Sequence, residues 1–526
     1  MAREALVDSL RAFGMRCELR EHQIQSMMRV LTPQRLSDRS GAIIADDMGL
    51  GKTITSIALS LVFQNLARIV GGHGNPTTLI AVPSPLVDQW CSELERFVAP
   101  QPGRQLVYVY RGARRMRHLP DSGDMPQFVL ASYDSLKSDW KRRDAAPNPL
   151  WDASWSCVIA DEAHDFRNPK THLSHAMHAL SEKSAFPLAL TGTPVNNGIG
   201  DFLNLMKFCR IHAPSRAPRG EDVDRMVRAG CIVRRKRADV LSASDLPPVH
   251  THTLYHPLQD GELCMHDYNL WTIVKSSHEP MSFARILVAL LRARQCCVSM
   301  WMRDRPDDIP YVPSRIKILA SIVSDVVQRG EKVLVFSQWA TALREASTHL
   351  ADMLPGVGIL VFDGTLLPQV RARTLRDFCE GSASVLLLSY AIGNKGLNVT
   401  AANHVVFLDP WWNPFVQDQA TGRCHRIGQQ REVHVYRMIA KDTFEEYMYR
   451  VIQAAKRKAS NLVLCETEDA GDGSAMTKGF SRRDLERAMG FIRACAGRYR
   501  AFLRQTEAGT ASHSDTAAAT ANAGSC

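Results

Sequence analysis

A chain of 526 residues exceeds what one core normally holds, so two or three domains are expected. Its 45% hydrophobic and 22% charged residues describe a globular protein, and no apolar run reaches the roughly 18 residues that a membrane helix needs. The net charge of +10 suits a polyanionic partner, while 13 cysteines without a C-x-x-C spacing argue against a zinc ribbon, a RING finger or a disulfide framework.

The first residues, MAREALVDSLRAFG, lack the apolar stretch of a signal peptide, so secretion is not expected. A helical lead-in follows, with Ile24, Met27, Met28, Val30 and Leu31 on one face; Gln23 within it could read an adenine edge or simply lie at the surface. Gly41–Ala45 reads as a buried strand and Thr53–Val70 as a helix. Between them lie Asp46, Asp47, Met48, Gly49, Leu50, Gly51, Lys52 and Thr53. Strand, glycine-containing loop, Lys-Thr and helix is the order a phosphate-binding loop requires. Backbone N–H groups and the helix N-terminus receive the phosphates, Lys52 reaches the β- and γ-phosphates, and the Thr53 hydroxyl holds Mg²⁺. Asp46 breaks the pattern GxxxxGK[ST] at its first position, and the alternative reading is an ordinary turn.

Strands are expected at Thr78–Pro83, Leu106–Tyr110, Phe128–Ser132, Cys157–Ala160 and Leu188–Thr191. Helical patterns between them indicate a parallel α/β sheet with its functional loops at the strand C-terminal ends. The fourth of these strands runs into Asp161, Glu162, Ala163 and His164. Asp161 would hold Mg²⁺ and Glu162 would orient and deprotonate the attacking water; alternatively the pair begins an ordinary helix. The Thr191 and Thr193 hydroxyls could link these acids to a partner domain, or form a plain turn. Residues 211–312 lose the alternation and read as a mostly helical insertion. Its run Arg234–Arg237 suits a nuclear address, a structural role or a DNA-backbone contact.

From residue 313 the α/β rhythm returns, with strands at Lys332–Gln338, Gly358–Phe362, Val385–Ser389, His404–Leu408 and Val433–Met438. This second sheet has no phosphate loop of its own. It carries Arg423 and Arg426, whose three-residue spacing puts them on one helical face. Two guanidiniums there could cross a cleft to a γ-phosphate, or line a basic helix surface. The expected organisation is lobe 1 at 1–210, the insertion at 211–312, lobe 2 at 313–452, C-terminal helices at 453–506 and a disordered tail at 507–526.

The blocks DDMGLGKT, DEAH with DFRNPKT, LTGTPVNN, VLVFSQW, GLNVTAANHVVFLDPWWNP and QATGRCHRIGQ, in this order, resemble the Swi/Snf family of superfamily-two helicase-like ATPases. The resemblance runs from Leu19 to about Ile452. It implies two recombinase-like parallel α/β lobes with ATP and Mg²⁺ in the cleft, Gln23 at adenine, and Arg423 and Arg426 acting from lobe 2 on closure. It implies a translocase on double-stranded DNA, acting on transcription or chromatin in the nucleus. Ser132, Tyr133, Thr191, Thr193, Ser337, Gln338, Gly396, Asn398 and Gln419 match positions near the DNA path or coupling it to ATP. Asp442–Glu446 resembles the start of a C-terminal brace helix. The chain departs from the family at Ile392-Gly393-Asn394, where Ala-Gly-Gly is common, and at Gly422, where Asp is common. A strand-separating helicase and a non-enzymatic scaffold remain as alternative readings.

Overall fold

The computed structural model describes residues 2–32, 40–70, 76–112, 125–143, 148–192, 199–212, 225–227, 229–240, 246–275, 282–300, 302, 311–390, 397, 399–426, 428–454, 456–457, 485–486 and 488–504. Short apolar runs become strands that are buried on both faces, because helices cover each side of a parallel sheet. In lobe 1 these are β1 (Ala42–Ile44), β2 (Thr78–Val82), β3 (Val107–Tyr110), β4 (Phe128–Ser132), β5 (Trp155–Ala160), β6 (Ser184–Leu190) and β7 (Ile232–Val233). Lobe 2 contains β8 (Val249–His256), β9 (Val333–Ser337), β10 (Ile359–Phe362), β11 (Val385–Ser389), β12 (His404–Phe407) and β13 (Val433–Ala440). The sheets are ordered β3-β4-β2-β5-β6-β1-β7 and β10-β11-β9-β12-β13-β8, and their strand pairs are parallel. The expected two-sheet α/β architecture is therefore what forms.

Strand order decides which loops meet. Since β5, β6 and β1 are neighbours, their C-terminal ends bring Asp161-Glu162, Thr191 and the phosphate loop side by side. Each sheet has apolar cores on both faces: Ile43, Leu79 and Val158 point to one side of the first sheet, Ile44, Ile80 and Ile159 to the other. Residues 211–312 contain the helices Asp260–Lys275 and Phe283–Cys296. The same stretch also supplies an edge strand to each sheet, and β8 falls where alternating His250, His252 and His256 suggest a possible strand. Two-residue β7 is too short to leave a period, and β8 alternates His250, His252 and His256 with Thr and Tyr instead of apolar residues.

A further core joins these helices to the C-terminal ones, through Leu270, Leu290, Phe444, Ala488 and Ile492. Beside it, Arg315 and Glu445 form a fully buried ion pair, with guanidinium–carboxylate bonds of 3.1 and 2.5 Å. The expected tail at 507–526 lies outside the described residues. Replacing Glu445 by Ala strands a buried guanidinium, so stability measured by chemical denaturation should fall by about 3–5 kcal/mol.

Candidate nucleotide site

The phosphate loop leaves β1 and turns through Gly49 and Gly51, both in the left-handed region at φ 88° and 81°. Lys52 opens the helix Lys52–Val70, and its Nζ donates to the carbonyl oxygens of Asp46 and Asp47 at 2.7 and 3.3 Å. Burial pushes its pKa down, against the opposing pull of Glu162, Asp46 and Asp161. Gln23 is tied to the same loop. Its Oε1 accepts the Arg20 N–H at 2.9 Å and its Nε2 donates to the Leu50 carbonyl at 3.3 Å.

Asp46, the residue that breaks the loop pattern, is a buried ion-pair partner. Arg235 donates Nε and a terminal N–H to its two oxygens at 3.1 and 2.5 Å. Asp47 accepts the Arg237 N–H at 3.1 Å, and Leu50 is buried. These three members of the expected ATP-binding set hold the loop in place, while Met48, Gly49, Gly51, Lys52 and Thr53 line the cavity.

Asp161 is fixed on every side. Its Oδ2 accepts the Trp90 Nε1–H at 2.9 Å, its Oδ1 accepts the Glu162 N–H at 2.9 Å, and its carbonyl accepts the Tyr133 hydroxyl at 2.6 Å. Burial, and next the charge of Glu162, raise its pKa to about 6. Glu162 adopts φ 48°, a strained conformation for a residue with a Cβ, and its buried Oε2 makes no hydrogen bond, lying 3.3 Å from His164 Nδ1. His164 Nδ1 also lies 3.4 Å from the Thr191 hydroxyl, connecting the acid pair to the end of β6.

Arg423 and Arg426 enter from lobe 2. Their expected common helical face is corrected: the helix is Pro414–Thr421, and both arginines lie in the turn after it. Gly422 caps that helix, and the chain tightens there through Arg423 N–H to Ala420 O. The turn still delivers them. Arg423 is buried, with a pKa lowered to about 10 by desolvation and supported mainly by the charge of Glu162. Arg426 faces Glu93, and its Cβ is 3.6 Å from the position a Cβ on Gly49 would take. The resulting cavity of about 430 Å³ is lined by Gln23, Lys52, Thr53, Trp90, Asp161 and Glu162 from one lobe and Gly422, Arg423 and Arg426 from the other.

A buried lysine and arginine around one pocket, with an orphaned carboxylate oxygen beside them, fit a polyphosphate with a divalent cation. Trp90, Glu93, Arg235 and Arg237 were not singled out as site residues from the sequence. No local pattern marks them, although the last two fall in the noted basic run.

The residues expected near DNA lie mostly inside. Ser132 caps the helix Tyr133–Trp140 and Tyr133 is buried against Asp161. Ser337 donates to Asp409, Gln338 accepts from Arg294 at 3.4 Å, and Gln419 is buried. The Tyr133, Ser337 and Gln419 side chains are thus engaged within the fold. Arg294 is wholly buried between Trp339 of the VLVFSQW block and Trp412 of the DPWWNP block, at 5.4 and 4.7 Å. Thr193, Asn394, Gly396 and Asn398 lie outside the described residues.

Among the described residues, His266, Asp267 and Cys495 are close enough for a metal ion, but their donors are engaged. Asp267 holds Arg498 at 2.8 and 2.9 Å, and His266 Nε2 accepts the Phe444 N–H at 3.0 Å.

Fold and cavity together define a two-lobed nucleotide-binding protein of helicase-like build. Residues 21–219 match the SNF2-related domain and residues 314–428 the helicase conserved C-terminal domain, so the chain belongs to the SNF2-related, helicase-like family. A putative ATP-dependent helicase/translocase of Bacillus subtilis is 29% identical over 453 residues, covering 81% of this chain and 47% of the relative. A probable global transactivator of Orgyia pseudotsugata multicapsid polyhedrosis virus is 28% identical over 465 residues, covering 82% of this chain and 88% of the relative. The motif blocks are most like those of a baculovirus global transactivator, and the viral relative is one of several at similar identity. The Sulfolobus solfataricus SWI2/SNF2 ATPase core in complex with dsDNA is 23% identical, covering 85% of this chain and 96% of that one, at a TM-score of 0.37. The chain spans about half the length, or less, of the Bacillus, Mycoplasma and mouse relatives.

Only the ionised Asp161 carboxylate can hold a cation. With its pKa raised to about 6, Mg²⁺ affinity measured without nucleotide should fall as the pH drops through 6, by about tenfold per unit below it. Asp161→Asn should abolish that pH dependence in the same titration.

Proposed function

We propose that this chain is an ATP-driven translocase on double-stranded DNA, working on transcription or chromatin in the nucleus. One observation carries the motor reading: arginines of lobe 2 share a cavity with the phosphate loop and acid pair of lobe 1. Hydrolysis is then tied to the closeness of the lobes, and lobe movement is what a motor converts into tracking. The duplex preference rests on the DPWWNP and HRIGQ blocks, and the basic net charge of +10 suits a phosphate backbone. The nuclear setting rests on the description of the viral relative as a global transactivator and of a mouse relative as a chromodomain-helicase-DNA-binding protein.

In this mechanism Lys52 exchanges the carbonyls of Asp46 and Asp47 for the β- and γ-phosphates of ATP. Thr53 and Asp161 would hold Mg²⁺, which supplies charge neutralisation between those phosphates when bound. Glu162 takes a proton from the attacking water, with His164 beside its carboxylate. Arg423 and Arg426 stabilise the charge that develops on the transferred group.

ATP turnover should rise strongly with linear duplex DNA and little with single strands or RNA. Glu162→Gln should lower it by about 10²–10⁴-fold while nucleotide still binds. Equal stimulation by single strands would point to a strand-separating helicase, and no turnover with any polymer would point to a scaffold.

A further inference from the structure

In the basic run Arg234–Arg237, Arg235 and Arg237 are engaged inward, and Arg237 connects the lobes. Because β7 lies beside β1, the backbone leaving it runs along the phosphate loop: Asp47 N–H donates to the Arg235 carbonyl at 3.0 Å and Arg237 N–H to the Asp47 carboxylate at 3.1 Å. Arg235 adds its paired bonds to Asp46 and further bonds to the His22 carbonyl and the Ser26 hydroxyl. This stretch is therefore fastened to lobe 1 at several points.

The Arg237 side chain crosses to lobe 2. Its NH1 donates to His425 Nδ1 at 2.6 Å and to the His425 carbonyl at 3.0 Å. The other ring nitrogen, Nε2, lies 2.8 Å from the Pro247 carbonyl. A guanidinium only donates and a carbonyl only accepts, so Nδ1 is the bare acceptor and Nε2 carries the proton. Burial, together with the Arg237 charge, pushes the His425 pKa down to about 4, which keeps this neutral tautomer at working pH. His425 stands between Arg423 and Arg426 in the chain.

We propose that Arg237 and His425 form an interlobe latch that holds Arg423 and Arg426 at the phosphate loop, making them positioning residues for ATP hydrolysis. This deepens the motor reading and rests on it. The phosphate loop itself keeps its fastening through Arg235, so loss of the latch should spare nucleotide binding and slow the chemical step.

The test uses the full chain with duplex DNA. Arg237→Ala and His425→Gln should each lower kcat by about tenfold or more with the KM for ATP within about twofold. His425→Asn places an amide oxygen where Nδ1 accepts from Arg237 and should keep most of kcat; Gln restores only the Nε2 donor and should not. The double variant Arg237→Ala with His425→Gln should be no slower than Arg237→Ala alone, because loss of Arg237 already removes the bond that His425→Gln breaks. Independently of turnover, hydrogen exchange across residues 422–429 should quicken in Arg237→Ala while β9 and β12 keep their protection. Equal damage by Asn and Gln, additive losses, a rise in KM matching the fall in kcat, or unchanged exchange at 422–429 would each overturn the latch. If the wild-type chain turned over no ATP, the motor reading would fall, and the exchange measurement would still decide whether the contact orders that turn. Should Arg237→Ala not fold, the His425 pair carries the test.

Discussion

Burying several full charges in one place is costly unless each has a partner of opposite sign or a dense set of hydrogen bonds. The interior of this cleft has to satisfy that constraint around Lys52, Asp161, Glu162, Asp46, Arg235 and Arg423 at once. The solution is graded. Asp46 and Arg235 neutralise each other, Lys52 leans on loop carbonyls, and Asp161 is held by the Trp90 indole, the Glu162 N–H and the Tyr133 hydroxyl. Among the carboxylates, the incompletely satisfied one is Glu162, strained at its backbone and orphaned at Oε2. The least satisfied carboxylate is thus the one given the proton-transfer role, where an uncommitted lone pair is the functional requirement.

Lobe 2 solves the corresponding problem with aromatic rings. Asp409 is buried, its pKa raised to about 7 by desolvation, and it accepts from Ser337 and from the Gln338 N–H. Arg294 lies between two indoles beside it and donates to the Pro410 carbonyl at 2.8 Å. Helix Phe283–Cys296 is thereby fastened to the C-terminal ends of β9 and β12. The inserted segment is accordingly part of the machinery at both ends, through Arg235 and Arg237 at the phosphate loop and Arg294 at the DPWWNP block.

The strand positions could be read in advance because a both-sides-buried strand needs only a short apolar run, a property of neighbouring residues. The phosphate loop and the Asp-Glu pair were legible for the same reason, since their chemistry is built from consecutive residues. The helical face assigned to Arg423 and Arg426 failed because spacing assumes a helix that the chain ends at Thr421. The hydroxyls of Tyr133 and Ser337 find buried acceptors at Asp161 and Asp409 that adjoin only after the sheets assemble, which no motif records.

By itself, then, the sequence determined two α/β lobes, a polyphosphate loop, a paired acid and a pair of arginines in the second lobe, because each is encoded in contiguous residues. Tertiary structure alone decided that Asp46 is an ion-pair partner, since its arginine lies 189 residues along the chain and arrives only through a two-residue strand. It also decided that His425 answers to Arg237, a contact between residues 188 apart across the cleft. Such pairings depend on strand order and lobe placement, and no local periodicity records either.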